Sequence, residues 1–277
     1  MSHPHNPPPA SAGLRWSGWT DCGPFRANNE DAFLGVCFDA REIQHLGKFG
    51  QAPSHSMDFA FAVSDGMGGA KAGEHASRIT TEKIAHLLPR SFGQSAAGLA
   101  TGFTEVLEEL FDQIHGALAF LGGSYQECAG MEATLSLCWF TPCWLYFGHI
   151  GDSRIYYLPA RANAIKQLSH DDTHVGWLLR QGQISEREAR SHPRRNVLQK
   201  ALGGGNQFVD PQVGAVGYET GDIFLLCTDG LVEGLYDQHL TELVRAPESA
   251  GPARRLVEAS LANGARDNVT ALVIEVV

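Results

Sequence analysis

A chain of 277 residues with 43% hydrophobic and 19% charged residues can bury one extensive core, and this composition excludes a disordered protein. Its 31 acidic residues outnumber its 21 lysines and arginines, for a formal net charge of -10, which argues against a nucleic-acid ligand because such affinity depends on clustered basic residues. The six cysteines form no C-x-x-C pair, so we expect reduced structural thiols.

The N-terminal stretch MSHPHNPPPASAG is rich in proline, serine and histidine and predicts a disordered lead-in over residues 1–13, followed by one domain over 14–277. We expect no metal site at His3 and His5, because nothing ordered would hold them. The stretch lacks a positively charged start followed by an apolar run, and no segment reaches about 18 uninterrupted apolar residues. The sequence therefore predicts a cytoplasmic protein without a membrane span.

Short segments rich in β-branched and aromatic residues, each bounded by turn residues, predict strands. They are residues 32–38, 58–65, 133–140, 143–150, 154–158, 222–229 and 268–277. Only Thr141 and Pro142 separate the third segment from the fourth. We therefore expect a hairpin and a sheet that is at least partly antiparallel.

Two amphipathic segments between the second and third strands, at about 72–88 and 99–121, predict helices that face the core. Ser185 and Glu188 have the capping-box spacing that begins a short helix, and Gly264 predicts the end of a helix over 252–262. Strands followed by two consecutive helices and then by further strands favour an α+β fold, with stacked sheets and helices outside them.

Four aspartates share one local pattern, since each lies where a strand ends or begins, beside Gly, Asn or Ser. They are Asp65 in AVSDGMGG, Asp152 in HIGDSRIYY, Asp229 in LLCTDGL and Asp267 in ARDNVTALV. One such aspartate is usually a turn residue, but four carboxylates that converge would repel one another unless cations neutralise them. Oxygen ligands without His or Cys select hard ions, so the pattern predicts a site for Mg²⁺ or Mn²⁺.

The glycines that follow Asp65 have a role in such a site. Gly66, Gly68 and Gly69 would let the backbone pass close to the ions, and the Gly66 carbonyl is a candidate ligand. The stretch GMGGAKAGE lacks the spacing of a nucleotide-binding loop. Two ions about 3.5–4 Å apart would share a water and lower its pKa, so that hydroxide could attack phosphorus.

A phosphate also needs a cation, and Arg26 in FRANNEDAF is the candidate. A guanidinium pairs with phosphate oxygens through two parallel hydrogen bonds, which lysine cannot copy. The alternative is that Arg26 forms a surface ion pair with Glu30 or Asp31.

The order of the motifs resembles the metal-dependent PPM family, the type 2C Ser/Thr protein phosphatases, in its compact bacterial form. The motifs are RANNEDAF, SDGMGGAKAGEHAS, GHIGDSRIYYL, LSHDDTHVGWLLRQGQISEREARSHPRRNVLQKALG, LLCTDGLVEGL and GARDNVTALVIEV. The resemblance runs from about residue 15 to the C-terminus.

This resemblance implies an αββα four-layer sandwich, with two mainly antiparallel sheets, helices on both outer faces and a metal cluster at one end. It implies hydrolysis of phosphoserine and phosphothreonine by direct attack of a metal-bridging hydroxide, without a covalent phosphoenzyme. The implied partners are phosphorylated proteins that a Ser/Thr kinase modifies, and the implied enzyme is a monomer that binds neither nucleic acid nor membrane.

The resemblance also implies roles for the aspartates. Asp65 would bridge two core ions, and Gly66 would be a ligand through its carbonyl. Asp229 and Asp267 would complete the shell of the first ion, and Asp152 would hold a third ion together with Asp229.

Other implied roles surround these ligands. Arg26 would grip the substrate phosphate, while Glu30 and Asp31 would support metal-bound waters. Residues from about 169 to 195 would form a mobile flap that affects substrate choice.

The sequence departs from the family pattern near the implied site. Met67 stands where animal relatives carry a histidine proposed as general acid, so protonation of the leaving group is expected from elsewhere, such as a metal-bound water. Glu132 and Ala133 in GMEATL replace the usual pair of small residues.

In the flap, Asp172 stands where the family commonly has histidine, within the cluster His170, Asp171, Asp172 and His174. We expect these to be solvated flap side chains rather than a separate metal site, because the sequence shows no further ligands.

Other functions can be weighed from the residues. No cysteine is followed six positions later by arginine and no D-x-D occurs, which disfavours the phosphocysteine and aspartyl-phosphate mechanisms. A metal-dependent nuclease or phosphodiesterase is disfavoured by the net charge. The remaining alternative is a catalytically weak phosphoprotein-binding or regulatory module on the same fold.

Overall fold

The structure is a computed structural model that describes residues 13–39, 41–54, 57–68, 70–96, 102–142, 144–205, 208–247 and 251–277. The first strand begins at Gly13, which the sequence had assigned to the lead-in. Residues 1–12, including His3 and His5, lie outside the described residues, as do Gly69 and Cys143. Within the described ranges no helix is long and apolar enough to cross a bilayer.

The described residues form strands and helices that alternate in blocks along the chain. The strands are β1 (Gly13–Asp21), β2 (Asp31–Phe38), β3 (Ile43–His45), β4 (Phe49–Pro53), β5 (Asp58–Met67), β6 (Glu132–Ala133), β7 (Leu135–Phe140), β8 (Trp144–Ile150), β9 (Arg154–Leu158), β10 (Lys166–Gln167), β11 (Leu202–Gly203), β12 (Gln212–Gly217), β13 (Ile223–Cys227) and β14 (Val269–Val276). The helices are α1 (Ala70–Ala96), α2 (Phe103–Ser124), α3 (His174–Arg180), α4 (Glu186–Ser191), α5 (Asp229–Gly234), α6 (Asp237–Arg245) and α7 (Pro252–Ala262), with a 3-10 turn at Gln126–Cys128.

The strands form two antiparallel sheets. One has the order β10-β9-β13-β14-β1-β4, and the other runs β11-β6-β5-β7-β8-β12, with β2 paired to β5 and β3 to β2. Helices α1 and α2 cover the second sheet, whereas α5, α6 and α7 cover the first. The predicted αββα arrangement is therefore confirmed.

Three apolar layers separate the four layers of structure, because strand side chains alternate between the two faces of a sheet. In β5, Ala60 and Ala62 face the helices α1 and α2, while Phe61 and Val63 pack between the sheets. The small alanines let the helices approach closely, and the larger side chains fill the space between the sheets. The buried layers hold the strand ends in place at one edge.

The predicted hairpin is confirmed, since β7 pairs with β8 in the register Phe140↔Leu145. The segment predicted at 133–140 is divided, because Ala133 belongs to β6 and pairs with Gly66. Strand β1 was missed. Its sequence GLRWSGWTD has few β-branched residues, but β14 and β4 pair with it on both sides.

The helix predictions hold with shifted ends. The capping box at Ser185 and Glu188 is present, and α7 is followed by Gly264 with a φ of +91°. Helix α3 was missed; the side chain of Thr173 caps it by accepting a hydrogen bond from the Gly176 amide at 2.8 Å. The strand predicted over 222–229 ends at Cys227, and Asp229 begins α5.

The five cysteines that the structure describes carry free thiols, as the sequence predicts. Cys37, Cys138 and Cys227 are buried within strands. Burial raises the pKa of each of these thiols, so they remain protonated and act as apolar core residues.

Candidate metal centre

Two carboxylates meet where paired strands end. Asp31 is the first residue of β2 and lies directly opposite Asp65, near the end of β5, in an antiparallel register. Opposed residues in such a pair have neighbouring side chains. The sheet therefore places two acidic groups side by side at one edge.

Three further aspartates reach the same edge from other elements. Asp152 lies in the turn between β8 and β9, Asp229 is the first residue of α5, and Asp267 lies between α7 and β14. All three line one cleft of about 650 Å³.

Electrostatics show how closely these groups converge. Burial raises the pKa of Asp65 well above its usual value, and repulsion from Asp31, Asp229, Asp152 and Asp267 raises it further. Burial and the charge of Asp229 likewise raise the pKa of Asp152, and burial with the charge of Asp267 raises the pKa of Asp229 to about 6. The four other aspartates are therefore close enough to Asp65 to raise its pKa.

Asp31 is held beneath this group by threonine hydroxyls that the sequence did not indicate. Its Oδ2 accepts hydrogen bonds from Thr228 Oγ1 at 2.8 Å and Thr270 Oγ1 at 2.7 Å. Thr228 stands at the N-cap of α5 but makes no side-chain cap bond; its hydroxyl donates to Asp31 and accepts a hydrogen bond from the Thr270 amide at 3.1 Å. Burial raises the pKa of Asp31 to about 7, although both hydroxyls lower it.

Buried oxygens without partners indicate that the site fits a cation. Among the described residues, Asp31 Oδ1 and Asp229 Oδ1 are buried and accept no hydrogen bond. Burying a carboxylate oxygen in this way is energetically costly unless an ion or a water molecule binds to it. Among the described residues no three acidic, histidine or cysteine side chains form a closed ligand cluster. A Mg²⁺ site does not need such a cluster, because the ion keeps several bound waters and is usually held by one or two carboxylates.

Gly66 has no room for a side chain. A Cβ at this position would lie 1.9 Å from the Gly73 carbonyl oxygen and 3.1 Å from that of Glu30, so only glycine fits. Its amide donates a hydrogen bond to the Glu30 carbonyl at 3.1 Å. The absence of a side chain at Gly66 therefore lets the start of α1 pack closely against the loop that carries Glu30.

Hydroxyl groups connect the loops of Asp65 and Asp152. The Asp65 amide donates to Thr134 Oγ1 at 3.0 Å, and that oxygen lies 2.6 Å from Ser153 Oγ. The Thr134 amide donates back to the Asp65 carbonyl at 2.8 Å. Thr134 and Ser153 are buried, so these contacts fix the spacing of the two aspartates.

Asn268 joins the loop of Asp267 to the loop before β2. Its Oδ1 accepts a hydrogen bond from the Glu30 amide at 2.8 Å, and its Nδ2 donates to the carbonyls of Cys22 and Asn28. The motif GARDN contained this residue, but no local pattern revealed its role.

With this geometry established, comparison with known proteins assigns the family. A family model described as Protein phosphatase 2C matches residues 49–263. The chain belongs to the protein phosphatase 2C family. The resemblance to PPM phosphatases read from the motifs is confirmed.

Relatives of known name agree with this assignment. The chain is 34% identical over 267 residues to the serine/threonine protein phosphatase PstP of Mycobacterium tuberculosis, covering 95% of this chain and 45% of that protein. It is 29% identical over 259 residues to the serine/threonine phosphatase stp of Listeria monocytogenes, covering 92% and 93% of the two chains. The chain thus spans about half the length of the mycobacterial relative.

A solved structure gives the same fold. The crystal structure of the catalytic domain of a PstP phosphatase in complex with two manganese ions matches with a TM-score of 0.74 and 32% identity, covering 96% of this chain and 100% of that chain. The αββα sandwich described above is therefore a protein phosphatase 2C fold.

In this member of the family, Arg26 lies in the loop between β1 and β2 with half of its side chain exposed. Its Nη2 lies 2.5 Å from Asp267 Oδ2. The sequence offered Glu30 or Asp31 as the ion-pair partner, and that alternative was wrong because the tertiary fold brings Asp267 closer. Burial raises the pKa of Glu30, while the Arg26 charge lowers it.

Asp171 is also an ion-pair residue. Arg154 donates to both of its carboxylate oxygens, at 2.9 and 2.7 Å, and to Tyr156 Oη at 2.8 Å. Burial alone would raise the pKa of Asp171, but the charge and hydrogen bonds of Arg154 outweigh it and lower that pKa. The prediction of a solvated side chain is wrong here.

Asp172 connects the start of the flap to the turn of Asp152. Its Oδ2 accepts a hydrogen bond from the Gly151 amide at 3.1 Å, and its own amide donates to the Gly151 carbonyl at 2.7 Å. Gln212 Nε2 donates to Oδ1 at 3.3 Å. Asp172 is 6% exposed, so it is a buried structural residue, contrary to the prediction.

The other departures from the family pattern lie side by side. Met67 ends β5 and pairs with Glu132 of β6, whose carboxylate lies against Gly204. Ala133 is buried beside Gly66. Met67 has no titratable group, so it cannot donate a proton at this position.

Proposed function

We propose that the chain is a metal-dependent protein phosphatase that hydrolyses phosphoserine and phosphothreonine. The observation that carries this proposal is the meeting of Asp152, Asp229 and Asp267 in one cleft, where the Oδ1 atom of Asp229 is buried without a hydrogen-bond partner among the described residues. Membership of the protein phosphatase 2C family supports the same activity. The named relatives supply its class, since both are serine/threonine phosphatases.

The residues present fit Mg²⁺ or Mn²⁺. In the proposal, two core ions would be held by Asp65, Asp229, Asp267 and the Gly66 carbonyl. Asp152 with Asp229 would hold a third ion. Bound divalent ions would lower the pKa of water for direct attack on phosphorus, without a phosphoenzyme.

Arg26 is proposed to bind the substrate phosphate. It is half exposed and is held by a single ion pair with Asp267, a partner that a cation would take in its place. Release from Asp267 frees the guanidinium to offer two parallel N–H groups to phosphate oxygens. Position and charge therefore suit Arg26 to orient the substrate.

Glu30 and Asp31 are proposed to hold waters of the site. Burial raises the pKa of both groups, and it raises that of Asp31 to about 7, so Asp31 can keep or release a proton near neutral pH. Because Met67 cannot donate a proton, the proton for the leaving alkoxide comes from water or from a carboxyl of the site.

The proposed substrates are phosphorylated proteins that a Ser/Thr kinase modifies. The acidic net charge of -10 argues against nucleic acid as substrate. A direct test compares a phosphothreonine peptide with a phosphodiester, with Mn²⁺ added and with the ion chelated. We expect the protein to hydrolyse the peptide but not the phosphodiester, and to do so only when Mn²⁺ is present. If the protein is folded but does not hydrolyse the peptide, the phosphoprotein-binding module is favoured instead.

A further inference from the structure

The cleft that holds the carboxylates extends past them beneath the flap. From Asp152, Asp229 and Asp267 it continues between α3 and α4 on one side and α5 on the other, within the same volume of about 650 Å³. The proposed chemistry needs only the carboxylate end. The rest of the cleft is available to another part of the substrate.

Four apolar side chains line part of the extension, among charged and polar residues. Val175 and Leu179 come from α3, Ala189 from α4 and Val232 from α5; we call these four residues the flap subsite. Val175 and Val232 are buried, whereas Leu179 is 37% exposed. An apolar surface with charged groups at its rim is the usual composition of a pocket for an apolar group.

The arginines at the rim are already engaged by the protein. Arg190 donates to the carbonyls of Val232 at 2.8 Å and Leu235 at 3.1 Å, and its guanidinium stacks on the Tyr236 ring at 3.8 Å. These contacts also fix α4, and with it one wall of the flap subsite, against the end of α5. Arg190 is therefore not displayed to attract an anion.

The remaining rim charges do not favour an acidic ligand either. Arg195 pairs with Glu233 at 3.2 Å, and Glu186 lies 3.6 Å from Arg190. Asp237 also lines the cleft and would repel an acidic side chain. The rim charges largely cancel, which leaves the apolar surface to discriminate among ligands.

We infer that the flap subsite binds an apolar side chain of the phosphoprotein substrate, close in sequence to the phosphorylated residue. This inference rests on the proposed function. The occupant follows from continuity, because a peptide whose phosphate reaches the carboxylates passes the mouth of the same cleft. Neighbouring residues of an extended peptide are spaced by about 3.3–3.6 Å, so a residue a few positions away reaches the subsite.

Peptide selectivity tests the inference. Phosphothreonine peptides would carry Leu, Ala or Asp in turn at each flanking position, and kcat/KM would be measured for the full chain with Mn²⁺. At one flanking position we expect kcat/KM for the Leu peptide to exceed that for the Ala peptide by about tenfold, which is the usual effect of an added apolar group in a pocket. We expect kcat/KM for the Asp peptide to be lower than that for the Ala peptide.

Two variants assign the preference to the cleft. Leu179→Ala should reduce the ratio of Leu to Ala at that position by about threefold or more, because it removes apolar contact area. The matched control is Trp177→Ala, on the same helix, whose ring is 42% exposed and stacks on His174 rather than lining the cleft. It should keep the wild-type ratio.

The outcomes separate this inference from the proposed function. Peptide turnover without any flanking preference for Leu over Ala would overturn the flap subsite and leave the phosphatase assignment intact. An equal preference in the wild type and in Leu179→Ala would overturn it as well. If the wild type hydrolyses neither the peptides nor p-nitrophenyl phosphate with Mn²⁺, the proposed function is overturned, and the flap subsite with it.

Discussion

At the scale of single residues, the candidate centre contains buried carboxylates that the described residues stabilise only in part. Asp229 Oδ1 and Asp31 Oδ1 are buried without partners, and the pKa values of both groups are raised. The ionised form of each of these two carboxyl groups is therefore disfavoured in the protein alone, and a nearby cation would favour it. The residue-scale predictions follow from this imbalance.

Asp229→Asn should abolish turnover and preserve the fold, because the amide keeps the side-chain volume but loses the charge. We expect kcat/KM to fall by more than about a hundredfold, because even mutation of residues that only hydrogen-bond to metal ligands reduces metal affinity or activity by about 10- to 100-fold. Steady-state kinetics with Mn²⁺ would measure it. The control is Asp210→Asn, an exposed carboxylate paired with Lys200, and unaltered activity in Asp229→Asn would reject the assignment.

Arg26→Ala should raise KM more than it lowers kcat, because the guanidinium contributes to phosphate binding in both ground and transition states. Arg26→Lys should recover only part of the affinity, since lysine offers no second parallel N–H. The matched control is Arg15→Ala, which removes a surface ion pair with Glu275 of similar exposure. A loss confined to kcat would contradict the binding role.

The metal-free protein should become less stable as pH rises from about 4 to about 7. The folded-state pKa values of Asp229, about 6, and Asp31, about 7, exceed the unfolded value of 3.8, so the folded state binds more protons in this window and the free energy of unfolding falls with pH. Mn²⁺ should therefore raise Tm more at about pH 8 than at about pH 5. An equal shift at both pH values would contradict the carboxylate cluster.

At the scale of elements, the flap is part of the packed structure. Helix α3 begins beside Asp172, which bonds to the turn of Asp152, and α4 is tied to α5 through Arg190. The capping box of α4 could be predicted because it is a local pattern. The burial of Asp172 could not, since its partners Gly151 and Gln212 lie 21 and 40 residues away.

Asp172→Ala should destabilise the protein by about 1–3 kcal/mol, because it leaves the Gly151 amide without an acceptor in a buried position. Asp172→Asn should cost less, since its carbonyl oxygen can still accept that hydrogen bond. Urea unfolding of both variants would measure the difference. Equal stability of Asp172→Ala and the wild type would show that the contact contributes nothing.

At the scale of the whole molecule, the site depends on both ends of the chain. Arg26 and Asp267 are 241 residues apart and form an ion pair. Strand β14 lies between β13 and β1 in the first sheet, so the C-terminal segment is central to the sandwich. The region 49–263 that the family model matches omits β1, β2, β3 and β14.

A chain reduced to residues 49–263 should therefore fail to fold cooperatively, because it loses strands from both sheets and the Asp267 loop. Circular dichroism and thermal unfolding would show the missing transition. A cooperative transition in the shorter chain would contradict the description of one interdependent sandwich.

The sequence alone predicted many of the strands and the two long helices, and it indicated four aspartates and Arg26 as candidate site residues, because side-chain period and turn chemistry are local properties. Tertiary structure alone decided that Arg26 pairs with Asp267, that Thr228 and Thr270 hold Asp31, that Asp171 pairs with Arg154 and that Asp172 is buried. These contacts join distant segments. Their partners are set by sheet register and layer packing, which no local pattern records.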